Sequence, residues 1–592
     1  MKAKLLILAL LLLSLSRIFG QGINITSTAC LMAANSAYIV IYNGCLINNG
    51  SYSKGTEKVT FSGTTPSTIT GSNTDMYNLS VANTGGITSQ LGLLTTNNLD
   101  IASGSTLTVA PAKALTAGGT TTLGSAQCLV LKSDVTGTAS FMDNGTISGA
   151  GTAKIERFLA KYDLTADWKF HFLSSPVGTA QAIMPEFQTM SNITDDFYMW
   201  DEPTGIWINT KLEPGPPFTW NIAFGAGNGA FVTGKGYLVA YPADVTKNFS
   251  GTPFTSAGGV TMTCSNNTAG GGWNLLGNPF PSAIDWDLVA KGDGMDNALY
   301  YYDNGPPRYR YYVALTGGIG NSYSGGAQFI PAMQGFMVHA KTTGTKTITM
   351  KNVDRLHGSL TTYYKNAPLI ENVLNIRVEG NNSRDDARVC FYEQATTNFD
   401  GEFDAYKLFS YNTTIPELFS VTEDATQLAI NTLPLSQMCN KIHVGFMPGT
   451  EGDFIFTAEG VNSFSQSTQI YLEDLQAGTL QNLNETPAYA FKASTGDNTS
   501  RFLLHFMDAT SVSNPDVSKD FTISAENGII SIIQIQSLGG KAMVADMAGR
   551  TIATAGIIPG SPTRMNIKGN TGVYIISIIT ANGVSNAKIF VK

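Results

Sequence analysis

The chain has 592 residues, a net charge of −8 at pH 7 and only 14% charged residues, against about 25% in an average soluble protein. This acidic balance argues against a nucleic-acid binder, which needs a basic face to neutralise phosphates. The hydrophobic content of 43% excludes wholesale disorder, and the length leaves room for about four domains. We therefore expect a multidomain globular protein.

The first twenty residues have the pattern of a secretory signal peptide. Lys2 and Lys4 form a positive start, residues 5–15 form an apolar core, and the small residue Gly20 precedes the expected cut before Gln21. The apolar core is shorter than the roughly 20 residues that a helix needs to cross a bilayer. No later segment is long and apolar enough to do so either. We expect an exported chain without a transmembrane span.

The cysteines are scattered and show neither a C-x-x-C pair nor the spacing of a zinc site. They are Cys30, Cys45, Cys128, Cys264, Cys390 and Cys439. An oxidising destination permits disulfides, and the pairs closest in sequence are Cys30 with Cys45 and Cys390 with Cys439. Isolated thiols are the equal alternative.

Residues 21–152 predict stacked short strands. Runs such as Leu107–Val109 and Leu129–Leu131 alternate apolar and polar residues, and Gly or Asn interrupts them every ~8–12 residues. Regular rungs of this kind favour a solenoid-like β-repeat.

Residues 153–350 contain an internal duplication. The segment Trp168–Pro176 is echoed by Trp273–Pro279, and two further echoes follow in the same order: Phe197–Asp201 with Leu299–Asp303, and Gly234–Ala240 with Met333–Ala340. We expect two β-rich units that pack as one module. In the second unit, Ala283–Lys291 is interpreted as a short helix.

Two more β domains complete an all-β, multidomain prediction. Residues 351–510 contain about eight alternating runs, of which Leu374–Val378 is the clearest, and they predict an antiparallel β-sandwich. Residues 511–592 form a small β domain in which Asn582-Gly583 is suited to a hairpin turn.

The last domain resembles the C-terminal sorting domain of type IX secretion substrates. The resemblance rests on Asp546–Arg550, on Gly572–Ile576, on Gly583 and on the terminal Lys588–Lys592. The residues that it marks as the sorting signal are Asp546, Gly549, Arg550, Gly572, Tyr574, Gly583, Lys588 and Lys592.

Upstream segments are similar to the cargo of the same secretion system. Ser133–Ser140, with Ile147–Gly149 and Arg157–Leu159, resembles its N-terminal β-repeats, and Trp273–Trp286 resembles a recurrent Trp- and Pro-containing stretch. The resemblance implies a Gram-negative host, export by the Sec machinery, and passage across the outer membrane through the type IX machinery. It also implies removal of the sorting domain, followed by release or by attachment to surface lipopolysaccharide.

Catalytic motifs are absent from the sequence. His171, His339, His443 and His505 lie in strand-like runs and His357 in a polar loop, and there is neither a His-Glu-x-x-His site nor a Gly-x-Ser-x-Gly elbow. Glycine-rich segments at 225–230 and 229–235 lack the helix that a phosphate site requires, so we interpret them as hairpin loops. No catalytic, cofactor-binding or metal-binding residue is assigned.

Two kinds of cluster remain as binding candidates. Carboxylates gather at 293–296, 385–386 and 400–404, where solvated turns are favoured over calcium ligands. Tyrosines crowd a predicted hairpin beside Arg308 and Arg310: Tyr300, Tyr301, Tyr302, Tyr309, Tyr311 and Tyr312. One face of this hairpin could stack on sugars, although a buried β core is the favoured interpretation.

These patterns predict a non-catalytic protein at the cell surface or in the medium. The first hypothesis is adhesion or the binding of a glycan or protein. The alternatives are a secreted hydrolase that acts on polysaccharide or protein, and a structural component of the surface layer. The sequence does not identify the ligand.

Overall fold

A computed structural model of the chain is all-β, which confirms the predicted fold class. Among the described residues, regular structure other than strands consists of short 3-10 turns such as Asn352–Asp354, Leu435–Gln437 and Val461–Ser463. The described residues are 22–161, 170–189, 194–212, 219–221, 223, 229–302, 309–314, 319–320, 328–358, 371–438, 440–508, 521–526, 528–534, 540–546, 550–557, 562–567, 572–580 and 583–591.

The chain divides into two compact units. The first extends to Leu435 and also contains His443–Ser463 and Ala488–Arg501, whereas the second contains Ser436–Ile442, Phe464–Pro487 and Phe502–Lys592. The predicted cut before Gln21 and the predicted boundary between residues 510 and 511 both lie outside the described residues. The other domain boundaries stay predictions.

The first unit begins with a parallel β-solenoid. Its strands are β1 (Ile23–Ile25), β2 (Cys30–Met32), β3 (Tyr38–Tyr42), β4 (Leu46–Asn48), β5 (Ser51–Ser53), β6 (Lys58–Gly63), β7 (Ser67–Gly71), β8 (Thr74–Asn83), β9 (Ile87–Ser89), β10 (Leu93–Ile101), β11 (Leu107–Val109), β12 (Ala114–Ala117), β13 (Thr120–Leu123), β14 (Leu129–Leu131), β15 (Ser133–Asp134), β16 (Gly137–Thr138), β17 (Ser140–Asp143), β18 (Thr146–Ser148) and β19 (Ala153–Leu159). One parallel sheet has the order β1-β4-β7-β9-β11-β14-β19. The other runs β3-β6-β8-β10 and continues through β12 and β17, with β13 and β18 beside them.

Alternation along each rung separates the core from the outer face. Successive strands align one apolar ladder in the interior, which contains Ile41, Phe61, Val81, Ile101 and Leu123. The adjacent positions form a polar ladder of Thr60, Ser80, Asp100, Thr122 and Ser148 on the other face, where Ser80 is buried and donates to Asp100 Oδ2 at 3.2 Å. Because the side-chain period of a strand is two, a slip of one residue would turn the apolar ladder outwards. The same alternation therefore fixes the register of every rung.

A duplicated module follows the solenoid. Its strands are β20 (His171–Leu173), β21 (Asp196–Asp201), β22 (Ile206–Asn209), β23 (Lys211–Leu212), β24 (Thr219–Trp220), β25 (Tyr237–Ala240), β26 (Val245–Gly251), β27 (Val260–Cys264), β28 (Trp273–Gly277), β29 (Ala283–Asp285), β30 (Ala290–Lys291), β31 (Met295–Tyr302), β32 (Tyr309–Val313), β33 (Ile319–Gly320), β34 (Phe329–Ile330), β35 (Gly335–Ala340), β36 (Lys346–Met350) and β37 (Arg355–Leu356). The order β20-β25-β21-β22 in the first copy recurs as β28-β35-β31-β32 in the second.

The two copies exchange equivalent backbone contacts. Leu173 of the first copy bridges Gln334 of the second, and Lys235 of the first copy bridges Leu276 of the second. Leu173 corresponds to Leu276, because they pair with the equivalent residues Tyr237 and Phe336. Lys235 corresponds to Gln334 in the third sequence echo. The copies are therefore related by a local pseudo-two-fold axis, which the sequence repeat alone could not reveal.

The helix predicted over Ala283–Lys291 is wrong. Ala283 and Ile284 pair with Leu356 and Arg355, and Ala290 pairs with Thr349, so the segment is two short strands joined by a turn. Its apolar spacing suits a helix, but backbone partners from distant strands decide the local structure.

The last part of the first unit is an antiparallel sheet, and most strands of this sheet belong to the first unit. Its strands are β38 (Val373–Gly380), β39 (Ser383–Phe391), β40 (Ala405–Tyr406), β41 (Glu417–Val421), β42 (Gln427–Leu433), β43 (Ile442–Met447), β44 (Gly452–Glu459) and β47 (Ala488–Ala493). They follow the order β43-β41-β42-β39-β38-β44-β47, and only the pairing of β39 with β42 is parallel. The strong alternation of β38 places Leu374, Ile376 and Val378 on the buried face.

The second unit contains three strands of the sandwich region and the C-terminal strands. They are β45 (Thr468–Asp474), β46 (Thr479–Asn482), β48 (Phe502–Asp508), β49 (Phe521–Glu526), β50 (Ile529–Gln534), β51 (Gly540–Asp546), β52 (Thr551–Ile557), β53 (Thr563–Asn566), β54 (Gly572–Thr580) and β55 (Gly583–Val591). The last seven form sheets β49-β50-β53 and β52-β51-β54-β55. One core joins the two sheets and includes Ile532, Val544 and Ile576, so the C-terminal strands form a small β-sandwich.

Candidate functional site

A cavity of about 610 Å³ opens in the first unit where the last solenoid rungs meet the duplicated module. We call it the junction cavity. Its polar wall includes Ser133, Asp134, Thr138, Ser140, Arg157, His171 and His357, and its apolar wall includes Phe158, Phe329, Pro331 and Ala332. The volume lies in the range of small-molecule sites, which combine apolar walls with a few directed polar groups.

Arg157 lies at a position of β19 where the alternation of the strand predicts an apolar core residue. Strand β19 pairs with β26 in unbroken register, so Ile155, Arg157 and Leu159 share one face. Ile155 and Leu159 are fully buried in the solenoid core. A cation between two core residues breaks the apolar alternation, and such breaks are expected at functional or strained sites.

The guanidinium of Arg157 makes only long hydrogen bonds with its neighbours. Nη1 lies 3.5 Å from Thr138 Oγ1, Nη2 lies 3.3 Å from Gln334 Oε1, and the buried Nε has no hydrogen-bond acceptor. Among the described residues, no carboxylate forms an ion pair with Arg157. Burial lowers its pKa to about 10, and no neighbouring acid opposes that shift.

His357 forms another part of the cavity wall. Its Nδ1 lies 2.7 Å from Ser140 Oγ and its Nε2 lies 2.7 Å from Thr116 Oγ1. Burial, followed by the charge of Arg355, lowers the pKa of His357 to about 4. The ring is therefore neutral at pH 7 and contributes hydrogen bonds, not charge, to the cavity.

Asp134 is the acidic residue of the cavity wall. It is exposed, and its Oδ1 accepts hydrogen bonds from Thr136 N at 2.8 Å and from Thr136 Oγ1 at 2.6 Å. These hydrogen bonds lower the pKa of Asp134. Asp134 is thus ionised at neutral pH but remains in solvent, where water screens its charge.

A second, smaller cavity of about 340 Å³ lies between the two copies of the module. Lys235 lines it together with Asp201 and Thr263, and its Nζ lies 3.5 Å from Met199 Sδ. Burial lowers the pKa of Lys235, while the nearby charge of Asp201 acts in the opposite direction. Lys235 corresponds to Gln334 in the repeat, and unlike Arg157 it has a nearby carboxylate, that of Asp201.

Several carboxylates singled out in the sequence are buried in polar networks and do not line either cavity. Asp296 accepts from His339 Nδ1 at 2.5 Å, and His339 Nε2 lies 2.9 Å from Gly271 O. Asp385 contacts Lys407, which also lies 2.8 Å from Glu417. The solvated turns expected at these positions are wrong for four carboxylates whose side chains are buried: Asp296, Asp385, Asp386 and Asp404.

The tyrosine cluster is core, which confirms the favoured interpretation. Strands β31 and β32 pair in register, and all six tyrosines are buried. Tyr300 and Tyr302 pack on one side of the sheet, whereas Tyr301 and Tyr312 pack on the other. The hairpin is covered on both faces, so it offers no tyrosine platform for sugars. Arg308 lies outside the described residues.

The proposed disulfides are not formed between described cysteines. Cys30, Cys45, Cys128, Cys264 and Cys390 are free thiols, and Cys439 lies outside the described residues. The pairing of Cys30 with Cys45 is therefore wrong, and Cys390 is unpaired. Burial raises the pKa of Cys264 and of Cys390 to about 12, which keeps both thiols unreactive at neutral pH.

The described residues contain neither a metal-binding cluster nor a membrane-spanning helix. No group of three or more His, Cys, Asp or Glu side chains in these ranges is arranged to hold a metal ion. No helix in the same ranges has the length and apolarity that crossing a membrane requires.

The residues that resemble a sorting signal lie at several places in the C-terminal sandwich. Arg550 Nε donates to Asp546 Oδ2 at 2.7 Å, which links the residue before β52 to the last residue of β51. Tyr574 is buried opposite Asp546 in the register. These three residues lie close together.

The other predicted signal residues are separate from these three. Gly572 begins β54, and Gly583 begins β55 next to the opposite end of β54. Lys588 is exposed and pairs with Ile575. Gly549 and Lys592 lie outside the described residues.

Arg157 is a site residue that belongs to no catalytic or binding motif of the sequence. It lies in a segment, Arg157–Leu159, that resembles cargo β-repeats. The run Ala153-Lys154-Ile155-Glu156-Arg157-Phe158-Leu159 carries the signal, because alternation places Arg157 on the apolar face. His357 gave no comparable signal, since its contacts with Thr116 and Ser140 join distant parts of the chain.

Comparison with known families gives one match. A family model described as a domain of unknown function (DUF8693) matches residues 64–506, which is well over half of the chain. The matched range contains every described residue that lines the junction cavity, and it ends before β49. No curated protein sequence matches the chain.

Proposed function

We propose an export and binding function for this chain, which belongs to the family described as a domain of unknown function (DUF8693). In this proposal the protein is non-catalytic, is delivered to the cell surface or the medium by the Sec and type IX machineries, and binds a glycan or protein ligand there. Its C-terminal sandwich acts as the sorting domain, and released or lipopolysaccharide-attached forms are both compatible with the proposal.

The junction cavity is the observation that carries the binding function. It combines a half-buried cation without a paired carboxylate, several hydroxyl groups and apolar walls in one cavity of about 610 Å³. A purely structural region would leave such a guanidinium at a cost, because a charge that is partly withdrawn from water is normally paired. A bound ligand that supplies hydrogen-bond acceptors would remove this cost.

The C-terminal sandwich supports the sorting role through its self-contained pairing. Among the described residues, strands β49 to β55 pair only with one another, and their core is drawn from Ile523 to Val591. A secretion machinery could therefore recognise this domain by its own shape. The ion pair of Asp546 and Arg550 presents an exposed guanidinium on that domain.

Deletion of residues 521–592 tests the sorting role. In a host that has the type IX machinery, we expect the truncated protein to accumulate in the periplasm, while the full chain reaches the surface or medium. Replacement of Arg550 by Ala is a milder variant, and Arg564→Ala on neighbouring β53 is its matched control. Equal amounts of full-length and truncated protein outside the cell would contradict the sorting role.

Screening of the purified mature chain against glycan arrays and surface-protein extracts tests the binding role. We expect a specific ligand whose binding is weakened by changes in the wall of the junction cavity. A chain that binds nothing in either screen, yet assembles into ordered arrays, would favour the structural alternative.

A secreted hydrolase is the second candidate, because Ser140 Oγ and His357 Nδ1 are 2.7 Å apart at the cavity wall. Nucleophile and base adjoin in serine hydrolases. Here, however, Thr116 faces the other ring nitrogen, and a histidine with a pKa of about 4 is a weak base. Hydrolysis of a glycan or peptide substrate that is abolished by Ser140→Ala would establish this alternative, whereas binding without turnover supports our proposal.

A further inference from the structure

We propose that the junction cavity selects an acidic saccharide and that Arg157 binds its carboxylate. This inference rests on the proposed binding function and specifies its ligand class. The inference requires three properties of the cavity. Its wall must carry a positive charge, the charged group must have hydrogen-bond donors that are not fully used, and the other walls must suit a sugar ring.

Among the described residues that line the cavity, Arg157 is the one arginine or lysine. Lys154 and Glu156 lie on the opposite face of β19, where they form an ion pair 3.5 Å apart, and Glu156 also contacts Lys132 at 2.8 Å. His357 is neutral at pH 7, and the ionised Asp134 is exposed to solvent. The buried end of the cavity therefore favours an anion over a neutral or cationic group.

The donor geometry favours a carboxylate. Nε of Arg157 is buried without an acceptor, and the contacts of Nη1 and Nη2 with Thr138 and Gln334 are long. A guanidinium presents its donors as a planar fork that matches the two oxygens of a carboxylate. Nη1 and Nη2, which make only these long contacts, have spare hydrogen-bonding capacity that the two oxygens of a ligand carboxylate would use.

The remaining wall favours a saccharide over a peptide. Hydroxyl groups of Ser133, Thr138 and Ser140 offer hydrogen bonds, while Phe158 and Phe329 offer apolar surface. Sugar rings carry hydroxyl groups and apolar ring faces together, so a wall of this composition complements them. The matched pair of D-glucuronate and D-glucose, which differ by the carboxylate, isolates the role of the charge.

Titration calorimetry of the mature chain with D-glucuronate, D-glucose and inorganic sulfate tests the inference. We expect D-glucuronate to bind at least about 10-fold more tightly than D-glucose or sulfate. Arg157→Gln should weaken binding of D-glucuronate by about 10- to 100-fold, as expected for loss of a charge-assisted hydrogen bond. Arg157→Lys should have a smaller effect, because it keeps the charge but loses the fork. Lys154→Gln removes the same charge from the opposite face and should leave binding unchanged.

Thermal unfolding of each variant shows whether it is folded, and Arg157→Lys carries the test if Arg157→Gln is not. Equal affinity for D-glucuronate and D-glucose, equal affinity for sulfate, or equal effects of Arg157→Gln and Lys154→Gln would overturn the inference. If a different glycan or a protein then binds without dependence on Arg157, the proposed binding function stands while this inference fails. If neither saccharides nor surface proteins bind at all, both fail.

Discussion

Replacement of Lys407 by Met should strongly destabilise the first unit. The ammonium of Lys407 is buried, contacts Asp385 and lies 2.8 Å from Glu417 Oε2. Its removal leaves two carboxylates close together without a cation. Breaking a buried ion pair by removing one member costs about 3–5 kcal/mol, which corresponds to a fall in melting temperature of about 5–15 °C.

Lys492→Met is the matched control. Lys492 pairs with Asp453 at 3.0 Å, but both side chains are highly exposed, and such surface pairs contribute less than about 1 kcal/mol. Differential scanning calorimetry of both variants at pH 7 measures the contrast. If Lys407→Met melts within 2 °C (roughly the size of a surface effect) of Lys492→Met, the assignment of Lys407 as the charge that stabilises this buried cluster is wrong.

The pH dependence of the same cluster gives an independent check. Burial raises the pKa of Asp385, although the charge of Lys407 opposes the shift. A carboxyl whose pKa is raised on folding stabilises the protein below its unfolded pKa, and that contribution is lost as the pH rises through the folded pKa. Above about pH 4, the unfolded pKa of an aspartate, stability should therefore fall less steeply with pH in Asp385→Asn than in the parent chain.

Two further predictions concern packing and thiol chemistry. Gly401→Ala should lower the free energy of unfolding by about 1–3 kcal/mol, because a Cβ there would lie 1.9 Å from Asp296 Oδ1. Gly258 has open space around it, so Gly258→Ala should change the free energy of unfolding by no more than about 0.5 kcal/mol. Urea unfolding compares the two variants, and equal midpoints would refute the packing argument. A thiol reagent should label the exposed Cys30 in the native protein but the buried Cys390 only after denaturation; native labelling of Cys390 would contradict its burial.

Local alternation predicted the solenoid and much of the sheet content, because successive side chains of a strand point to opposite faces. Phe61 and Val81 fall on the core ladder, as their neighbours require. Alternation could not show which faces are covered: both faces of the Tyr300 hairpin are buried, since a second layer packs on each side. Coverage depends on contacts between distant segments, and no local pattern encodes it.

The candidate site was only partly accessible from sequence for the same reason. Arg157 was detectable as a cation at a core position of β19. The junction cavity was not, because it also requires His357 and Phe329 from segments far along the chain. The repeat predicted two similar units, but the pseudo-two-fold exchange through Lys235 and Gln334 is visible only once the strands are paired.

Protease accessibility on intact cells that carry the type IX machinery tests the central claim most directly. A protease added from outside should degrade the segment 22–508 of the surface-attached protein, or the same segment should be found in the medium, while a periplasmic marker stays intact. Full protection of this segment on intact cells, with none of it in the medium, would contradict the export on which the account depends.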